Sequence, residues 1–149
     1  MAANDLIKVE GTELVLESAG AALTDTSFAQ ADNDTVAPAD NPGYPLLDFE
    51  FQGAWATATG INDGEIRLYS RKINFEGGSD APAPSSTYPR DLVGSFVPDV
   101  VTTTQNLVLE GVPRSLREEQ FWIENATGQT LSANWTLKAY PVTHRPSAT

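Results

Sequence analysis

The feature that most constrains the fold is a strict alternation of apolar and polar residues in several short segments. In segments 47–52 (LDFEFQ) and 130–138 (TLSANWTLK) every second residue is apolar. A two-residue period places the apolar set on one face of a β-strand and the polar set on the other. Strands of this kind form antiparallel sheets that have one face on the core and one face in water.

Further segments with the same alternation predict an all-β fold. They are 12–17, 65–71 and 105–110, and no window of eleven or more residues has a convincing helical period. Turn-forming sequences such as 62–64 (NDG) and 125–129 (NATGQ) separate the strands. We therefore predict one domain over residues 1–149, an antiparallel two-sheet β-sandwich of about seven to nine strands. A jelly roll is favoured, with an immunoglobulin-like sandwich as the alternative.

Two segments are not typical of the strand series. Residues 29–45 are polar and rich in turn formers, and residues 76–91 are rich in Gly, Pro and Ser, so both are predicted to be long surface loops. Residues 1–17 carry Leu6 and Ile7 among acids and predict an N-terminal arm that adds a strand to a partner's sheet edge. The alternative is that this segment begins the protein's own sandwich.

Charge and cysteine content exclude several classes of function. The 149 residues include 20 acidic and 9 basic residues, one histidine and no cysteine, for a formal net charge of -11. Disulfide frameworks and thiolate metal sites need cysteine, and nucleic-acid binding needs clustered Lys and Arg. The single histidine, His144, argues against a Ser–His triad. We therefore predict a binding or structural module with no catalytic, cofactor-binding or metal-binding residue and no nucleic-acid partner.

The N-terminal sequence indicates no export signal and no membrane partner. It has neither a basic region nor a long apolar region. The longest apolar runs are far shorter than the ~20 residues that span a bilayer. We expect the protein to function in a cytoplasm or in a particle assembled there.

The negative charge is concentrated in the first part of the chain. Residues 1–64 hold eleven acids and one base, whereas residues 65–149 hold nine acids and eight bases. Such charge either keeps a protein apart from its neighbours or docks it on a basic partner surface. The second interpretation predicts that Glu10, Glu13 and Glu17 lie near basic groups of the partner and that raised salt weakens docking.

The phase of the alternation separates core residues from solvent-facing ones. The apolar phase holds Phe49, Phe51, Phe121 and Trp135, which are predicted to form the core. The polar phase includes Asp48, which is predicted to face solvent.

Three aromatic residues and two arginines lie on the polar phase instead. Trp122, Tyr69 and Tyr140 would be exposed on a water-facing sheet, where aromatic residues are enriched at interfaces and sugar sites. Arg67 and Arg71 share the phase of Tyr69, and together they predict an Arg–Tyr interface patch. The alternative is that a loop or a neighbouring strand covers these aromatic residues.

Several segments resemble small all-β structural proteins encoded near the capsid genes of tailed bacteriophages. They are 44–51 (YPLLDFEF), 64–69 (GEIRLY), 92–96 (LVGSF), 103–109 (TTQNLVL) and 121–137 (FWIENATGQTLSANWTL). The resemblance implies a capsid decoration (cement) protein on the exterior of a virion assembled in the host cytoplasm. Such proteins bind the major capsid protein, commonly as homotrimers, and strengthen the shell after expansion. The resemblance implies no catalytic residue.

Two other functions remain open at this point. One is a different phage particle component, such as a head fibre base, a tail protein or a baseplate protein. The other is a carbohydrate-binding β-sandwich that uses Trp122, Tyr69 or Tyr140 as a stacking platform.

Overall fold

The alternating segments form strands in the computed structural model, which describes residues 6–37, 41–61, 64–73, 80–89 and 91–146, without the side chains of 33–35. These residues contain no helix, so the predicted all-β class is confirmed. The strands of this part of the chain are β1 (Leu6–Glu10), β2 (Leu14–Gly20), β3 (Phe28–Val36), β4 (Leu46–Gly53), β5 (Glu65–Lys72), β6 (Leu92–Phe96), β7 (Gln105–Pro113), β8 (Glu119–Ala126) and β9 (Trp135–Pro146).

The strands form two antiparallel sheets that pack face to face. Sheet 1 has the order β1-β9-β4-β7, with β2 also paired to β9, and sheet 2 has the order β3-β8-β5-β6. Every strand pair is antiparallel. The predicted two-sheet β-sandwich is therefore confirmed.

The pairing order is that of a jelly roll. The pairs β5–β6, β4–β7 and β3–β8 are nested within one another along the chain, and β9 pairs with β1 and β2 outside them. Successive pairs alternate between sheet 2 and sheet 1, which is the result of rolling one long antiparallel ribbon. The immunoglobulin-like alternative has a different order of strands and does not describe this topology.

Large aromatic side chains from both sheets form the core. Phe49 on β4 meets Phe121 on β8 edge to face, with 5.0 Å between the ring centroids. The ring centroids of Phe51 and Trp135 are 6.1 Å apart. All four rings are buried, as predicted. A Cβ on Gly20 would lie 2.0 Å from the Trp135 ring, so only glycine lets β2 cross this ring.

Of the two interpretations of residues 1–17, the described residues agree with the one in which this segment begins the protein's own sandwich. β1 pairs with the C-terminal half of β9 and β2 with its N-terminal half, so the two strands follow one edge of sheet 1. Between them the Gly11 amide donates to the Pro141 carbonyl at 2.7 Å. β9 spans 12 residues and is long enough to pair with both strands, so this segment pairs within its own chain. Residues 1–5 lie outside the described residues.

The first predicted loop, 29–45, is wrong over its first half. Residues 29–36 belong to β3, which pairs with β8 and has a register shift between Gln30 and Thr35. An edge strand tolerates polar residues because only one side of it is paired within a sheet. Residues 38–40 lie outside the described residues, and 41–45 contain no strand. Of the second predicted loop, 76–91, residues 80–89 and 91 contain no strand, and the others are not described.

Candidate binding surfaces

The water-facing side of sheet 1 collects acidic side chains, and we call it the acidic face. The alternation that buries Phe49 turns Asp48 and Glu50 to the opposite side of β4, and their partners on β9 are Tyr140 and Lys138. The acidic face consists of Lys8, Glu10, Glu13, Asp48, Glu50, Glu110, Lys138 and Tyr140. Its five carboxylates outnumber its two ammonium groups, so the face is negative.

Lys8 links three carboxylates at the centre of this face. Its Nζ lies 2.5 Å from Asp48 Oδ2, 3.5 Å from Glu110 Oε1 and 3.7 Å from Glu10 Oε1. The hydrogen bond to Asp48, and then the charges of Asp48, Glu110 and Glu10, raise the pKa of Lys8 above its ordinary value. These residues border a groove of about 370 Å³ that is open to solvent.

Asp48 is buried, so the prediction that it faces solvent is wrong. Its Oδ1 accepts a hydrogen bond from the Gly111 amide at 2.7 Å, and Gly111 has a φ of 71°. The register between β4 and β7 shifts at this point, and the carboxylate satisfies the amide that the irregularity leaves unpaired. Asp48 therefore supports the fold, whereas Glu10, Glu50 and Glu110 are more open to solvent.

Glu13 and Tyr140 form a second contact on the acidic face. The Tyr140 hydroxyl donates to Glu13 Oε2 at 2.9 Å, and Lys138 Nζ lies 3.4 Å from Glu13 Oε1. Burial, then the hydrogen bond to Glu13 and the charge of Glu50, raise the pKa of Tyr140 to about 12. Tyr140 is half-buried, and its hydroxyl already has a partner.

Glu17, predicted to dock on a basic surface, is only 3% exposed. Its carboxylate accepts hydrogen bonds from the amides of Ser18 and Ala19 at 2.9 Å and from the amide of Asp32 at 3.1 Å. The register of β2 shifts on both sides of Glu17, and this turns the side chain inward against the alternation. The predicted contact of Glu17 with a partner is therefore wrong.

The two apolar residues of β1 that were predicted to contact a partner differ in their exposure to solvent. Leu6 is exposed and Ile7 is half-buried. Both lie on the strand that pairs with the end of β9.

The water-facing side of sheet 2 brings together the predicted Arg–Tyr patch, and we call it the arginine–aromatic face. It consists of Phe28, Arg67, Tyr69, Arg71, Gln120, Trp122 and Glu124. Tyr69 is only 2% exposed, so its predicted exposure is wrong. Its ring lies 5.6 Å from that of Phe28, and its hydroxyl donates to Glu124 Oε2 at 2.7 Å. Burial and then the contact with Glu124 raise the pKa of Tyr69 to about 12.

The arginines of this face are paired within the protein. Arg67 Nε donates to Glu65 Oε1 at 2.5 Å and its Nη1 donates to Glu124 at 3.4 Å. The hydrogen bond to Arg67 and another to Ser95 lower the pKa of Glu65.

Arg71 and Trp122 also have partners within the protein. Arg71 Nε donates to the Ala81 carbonyl at 2.6 Å, which ties segment 80–89 to the sheet. Gln120 Oε1 accepts from both Arg71 Nη1 and Trp122 Nε1 at 3.1 Å. The patch therefore exists, but its polar groups bind one another.

The sequence did not predict two features of these surfaces. Glu110 comes from the half of the chain that is nearly neutral, yet sheet pairing carries it to the acidic face. Arg114 donates to the carbonyls of Ala37, Asn41 and Tyr44 and borders a pocket of about 440 Å³. The alternation could have assigned Glu110 to a polar phase, but no local signal marks Arg114.

Comparison with protein-family models, with curated proteins and with solved structures finds no match. Within the described part of the chain, no three His, Asp or Glu side chains are arranged to hold a metal ion. Among those same residues there is no helix with the length and apolar character that crossing a membrane requires.

Proposed function

We propose that this protein is a non-catalytic virion structural protein that decorates the outside of a phage capsid. In this role its acidic face binds basic groups of the major capsid protein and bridges adjacent subunits. The observation that carries the proposal is the acidic face itself. It gathers Glu10, Glu50 and Glu110 from three strands of one sheet around a groove.

An acidic surface formed by one sheet is suited to binding an assembled shell. Complementary charge favours rapid and correctly oriented docking. A ligand that binds the assembled shell and not the free subunits stabilises the shell by mass action. Docking as a homo-oligomer, with a trimer as the form that the resemblance implies, strengthens the effect because several equal contacts act together. The role involves neither nucleic acid nor a membrane.

The jelly-roll fold does not select this function by itself. Jelly rolls occur both in viral capsids and in lectins, so these two functions must be distinguished by the surface residues. A sugar platform is less well supported, because Tyr69 is buried and the Tyr140 hydroxyl is bound to Glu13. Another phage particle component would use the same acidic face, and labelling the protein on the particle distinguishes head from tail.

Co-sedimentation with expanded shells tests the proposal. The shells are assembled from the major capsid protein of the phage proposed to encode this chain, and binding is measured from about 0.05 M to about 0.5 M NaCl. We expect wild-type protein to bind and to be released as salt rises. The double variant Glu50→Gln/Glu110→Gln should lose at least about tenfold in affinity.

A matched double variant controls for total charge. Asp32→Asn/Asp91→Asn also removes two negative charges, from exposed residues outside the acidic face. We expect this variant to bind as wild type does. Equal loss in both variants, or binding that does not change with salt, would overturn the assignment of docking to the acidic face.

A further inference from the structure

The pocket beside Arg114 has a volume of about 440 Å³, and we call it the arginine pocket. It is lined by residues 41–45 from the connection before β4, by residues 114–116 from the connection after β7, and by Thr143 of β9. Ligand pockets commonly have volumes of about 300–1,000 Å³. The arginine pocket is open to solvent on one side, so it has room for the end of a longer molecule.

Hydrogen bonds from Arg114 hold one wall of this pocket in place. Its Nη1 donates to the carbonyls of Asn41 at 3.1 Å and Tyr44 at 3.3 Å. Its Nη2 donates to the Ala37 carbonyl at 3.0 Å, and its backbone amide donates to the Pro45 carbonyl at 2.9 Å. Segment 41–45 is therefore tied to the end of β7 without a ligand, which lowers the entropy cost of binding one.

The guanidinium of Arg114 keeps two donors for a ligand. An arginine has five N–H groups, and the three carbonyls of the pocket wall occupy three of them. The Nε hydrogen and one Nη2 hydrogen have no acceptor among the described residues. Planar guanidinium groups bind carboxylate oxygens well, through hydrogen bonds that are strengthened by charge.

The arginines at this pocket have no acidic partner. In the described part of the chain, no carboxylate lies within ion-pair distance of Arg114 or Arg145. The Arg145 guanidinium lies 5.9 Å from the centre of the Tyr44 ring. Other basic residues do lie beside carboxylates, namely Lys8, Arg67, Arg71, Lys72 and Lys138. Of the nine residues that line the pocket, Arg114 alone is charged, so the pocket is a positive site on a chain with a net charge of -11.

Apolar surface lies next to this positive charge. Leu116 on the pocket lining is 94% exposed, more than any other large hydrophobic residue in the described part of the chain. Pro42, Pro45 and the Tyr44 ring add further apolar carbon to the lining. A ligand with an apolar group beside its negative charge would remove this surface from water, whereas an inorganic anion would not.

We propose that the arginine pocket binds the carboxyl terminus of a partner chain that ends in an aliphatic residue. Such a terminus carries the carboxylate and the aliphatic side chain on the same carbon atom, so one residue can meet both the Arg114 guanidinium and Leu116. The open side of the pocket accommodates the residues that precede it. Capture of a terminal carboxylate is a recurring mode of peptide recognition. The pocket shares no residue with the acidic face, so the proposal does not depend on binding to a capsid.

NMR titration of the ¹⁵N-labelled protein with short peptides tests the proposal. The probe is acetyl-Gly-Gly-Leu with a free carboxylate, and its carboxamide is the uncharged control. We expect the carboxylate form to shift the amide resonances of Gly43 and Leu116 and to bind at least about tenfold more tightly than the carboxamide. Acetyl-Gly-Gly-Gly keeps the carboxylate without the aliphatic group and should bind at least about threefold more weakly than the leucine peptide. Inorganic phosphate should also bind more weakly.

Variants separate the contribution of the charge from that of the apolar surface. Arg114→Lys keeps the charge but not the planar donor group and should weaken the leucine peptide at least about tenfold. Because this change also disturbs the pocket wall, two exposed residues provide independent tests. Arg145→Gln should weaken the carboxylate peptide and leave the carboxamide unchanged, and Leu116→Ser should reduce the preference for leucine over glycine.

Matched controls and four outcomes decide the proposal. Arg67→Gln removes a positive charge from the arginine–aromatic face, and Leu6→Ser removes an exposed leucine from β1. Both should bind the leucine peptide as wild type does. The proposal would be overturned by the absence of shifts at about 10 mM peptide, by shifts centred outside the pocket, by equal affinity for carboxylate and carboxamide, or by phosphate that binds as tightly as the leucine peptide.

Discussion

The acidic face and the arginine–aromatic face lie on opposite sides of one sandwich, yet their side chains serve different purposes. On the arginine–aromatic face, Tyr69 is buried and Glu124 accepts from both Tyr69 and Arg67. On the acidic face, carboxylates outnumber the cations, and Glu10 and Glu110 stay exposed beside Lys8.

The difference shows that a side chain on the water-facing side of a sheet is not automatically available to a partner. Register decides availability, because it sets which charge lies opposite which on the neighbouring strand. On sheet 2 it places Glu124 opposite Arg67. On sheet 1 it places Glu50 opposite Lys138 but Asp48 opposite the uncharged Tyr140. The five carboxylates of the acidic face therefore still outnumber its two ammonium groups.

The largest expected effect on stability comes from Tyr69. Tyr69→Ala removes a buried ring and leaves Glu124 without its hydroxyl donor, and it should lower the free energy of unfolding by about 3 kcal/mol. Tyr140→Ala, on the acidic face, should cost less than half as much, because Tyr140 is only half-buried. Urea denaturation measures both values, and equal costs would remove the distinction between the two faces.

Glu17 is expected to give the next largest effect. Glu17→Gln removes a charged acceptor from three backbone amides and should cost about 2 kcal/mol. Glu13→Gln keeps an oxygen for the Tyr140 hydroxyl and should change stability by less than about 0.5 kcal/mol. The same denaturation experiment compares them, and a neutral Glu17→Gln would show that its carboxylate does not support the fold.

Alkaline pH should weaken the fold through both faces. Each of Tyr69 and Tyr140 has a pKa raised to about 12, from an ordinary value of 10.0. The folded state thus favours the neutral phenol, so this stability is present below about pH 10 and is lost as pH rises toward about 12. In Tyr69→Phe and in Tyr140→Phe, the free energy of unfolding should decrease less steeply with pH over that range. An unchanged slope in both variants would contradict the assigned contacts.

The smallest effect on stability is expected at Glu50. Glu50→Gln should change the free energy of unfolding by no more than about 0.5 kcal/mol, since it relieves crowding among like charges without opening the core. Thermal unfolding followed by circular dichroism measures this. A large loss would mean that Glu50 supports the fold as Asp48 does, and would remove it from the docking surface.

The alternation predicted the class of fold and much of the core, because a two-residue period depends only on local sequence. It assigned Phe49, Phe51, Phe121 and Trp135 correctly. It failed where the register shifts, since a bulge is stabilised by distant partners: Glu17 by the Asp32 amide and Asp48 by the Gly111 amide. Residues 1–17 left two interpretations open for a related reason, because only the fold shows that β9 is long enough to pair with β1 and β2.

A cryo-electron microscopy map of the decorated particle tests the central claim most directly. We predict that sheet 1 lies toward the shell, with Glu10, Glu50 and Glu110 within ion-pair distance of basic capsid side chains and the arginine–aromatic face turned away. A map in which those three carboxylates face solvent, or in which sheet 2 contacts the shell, would contradict the account.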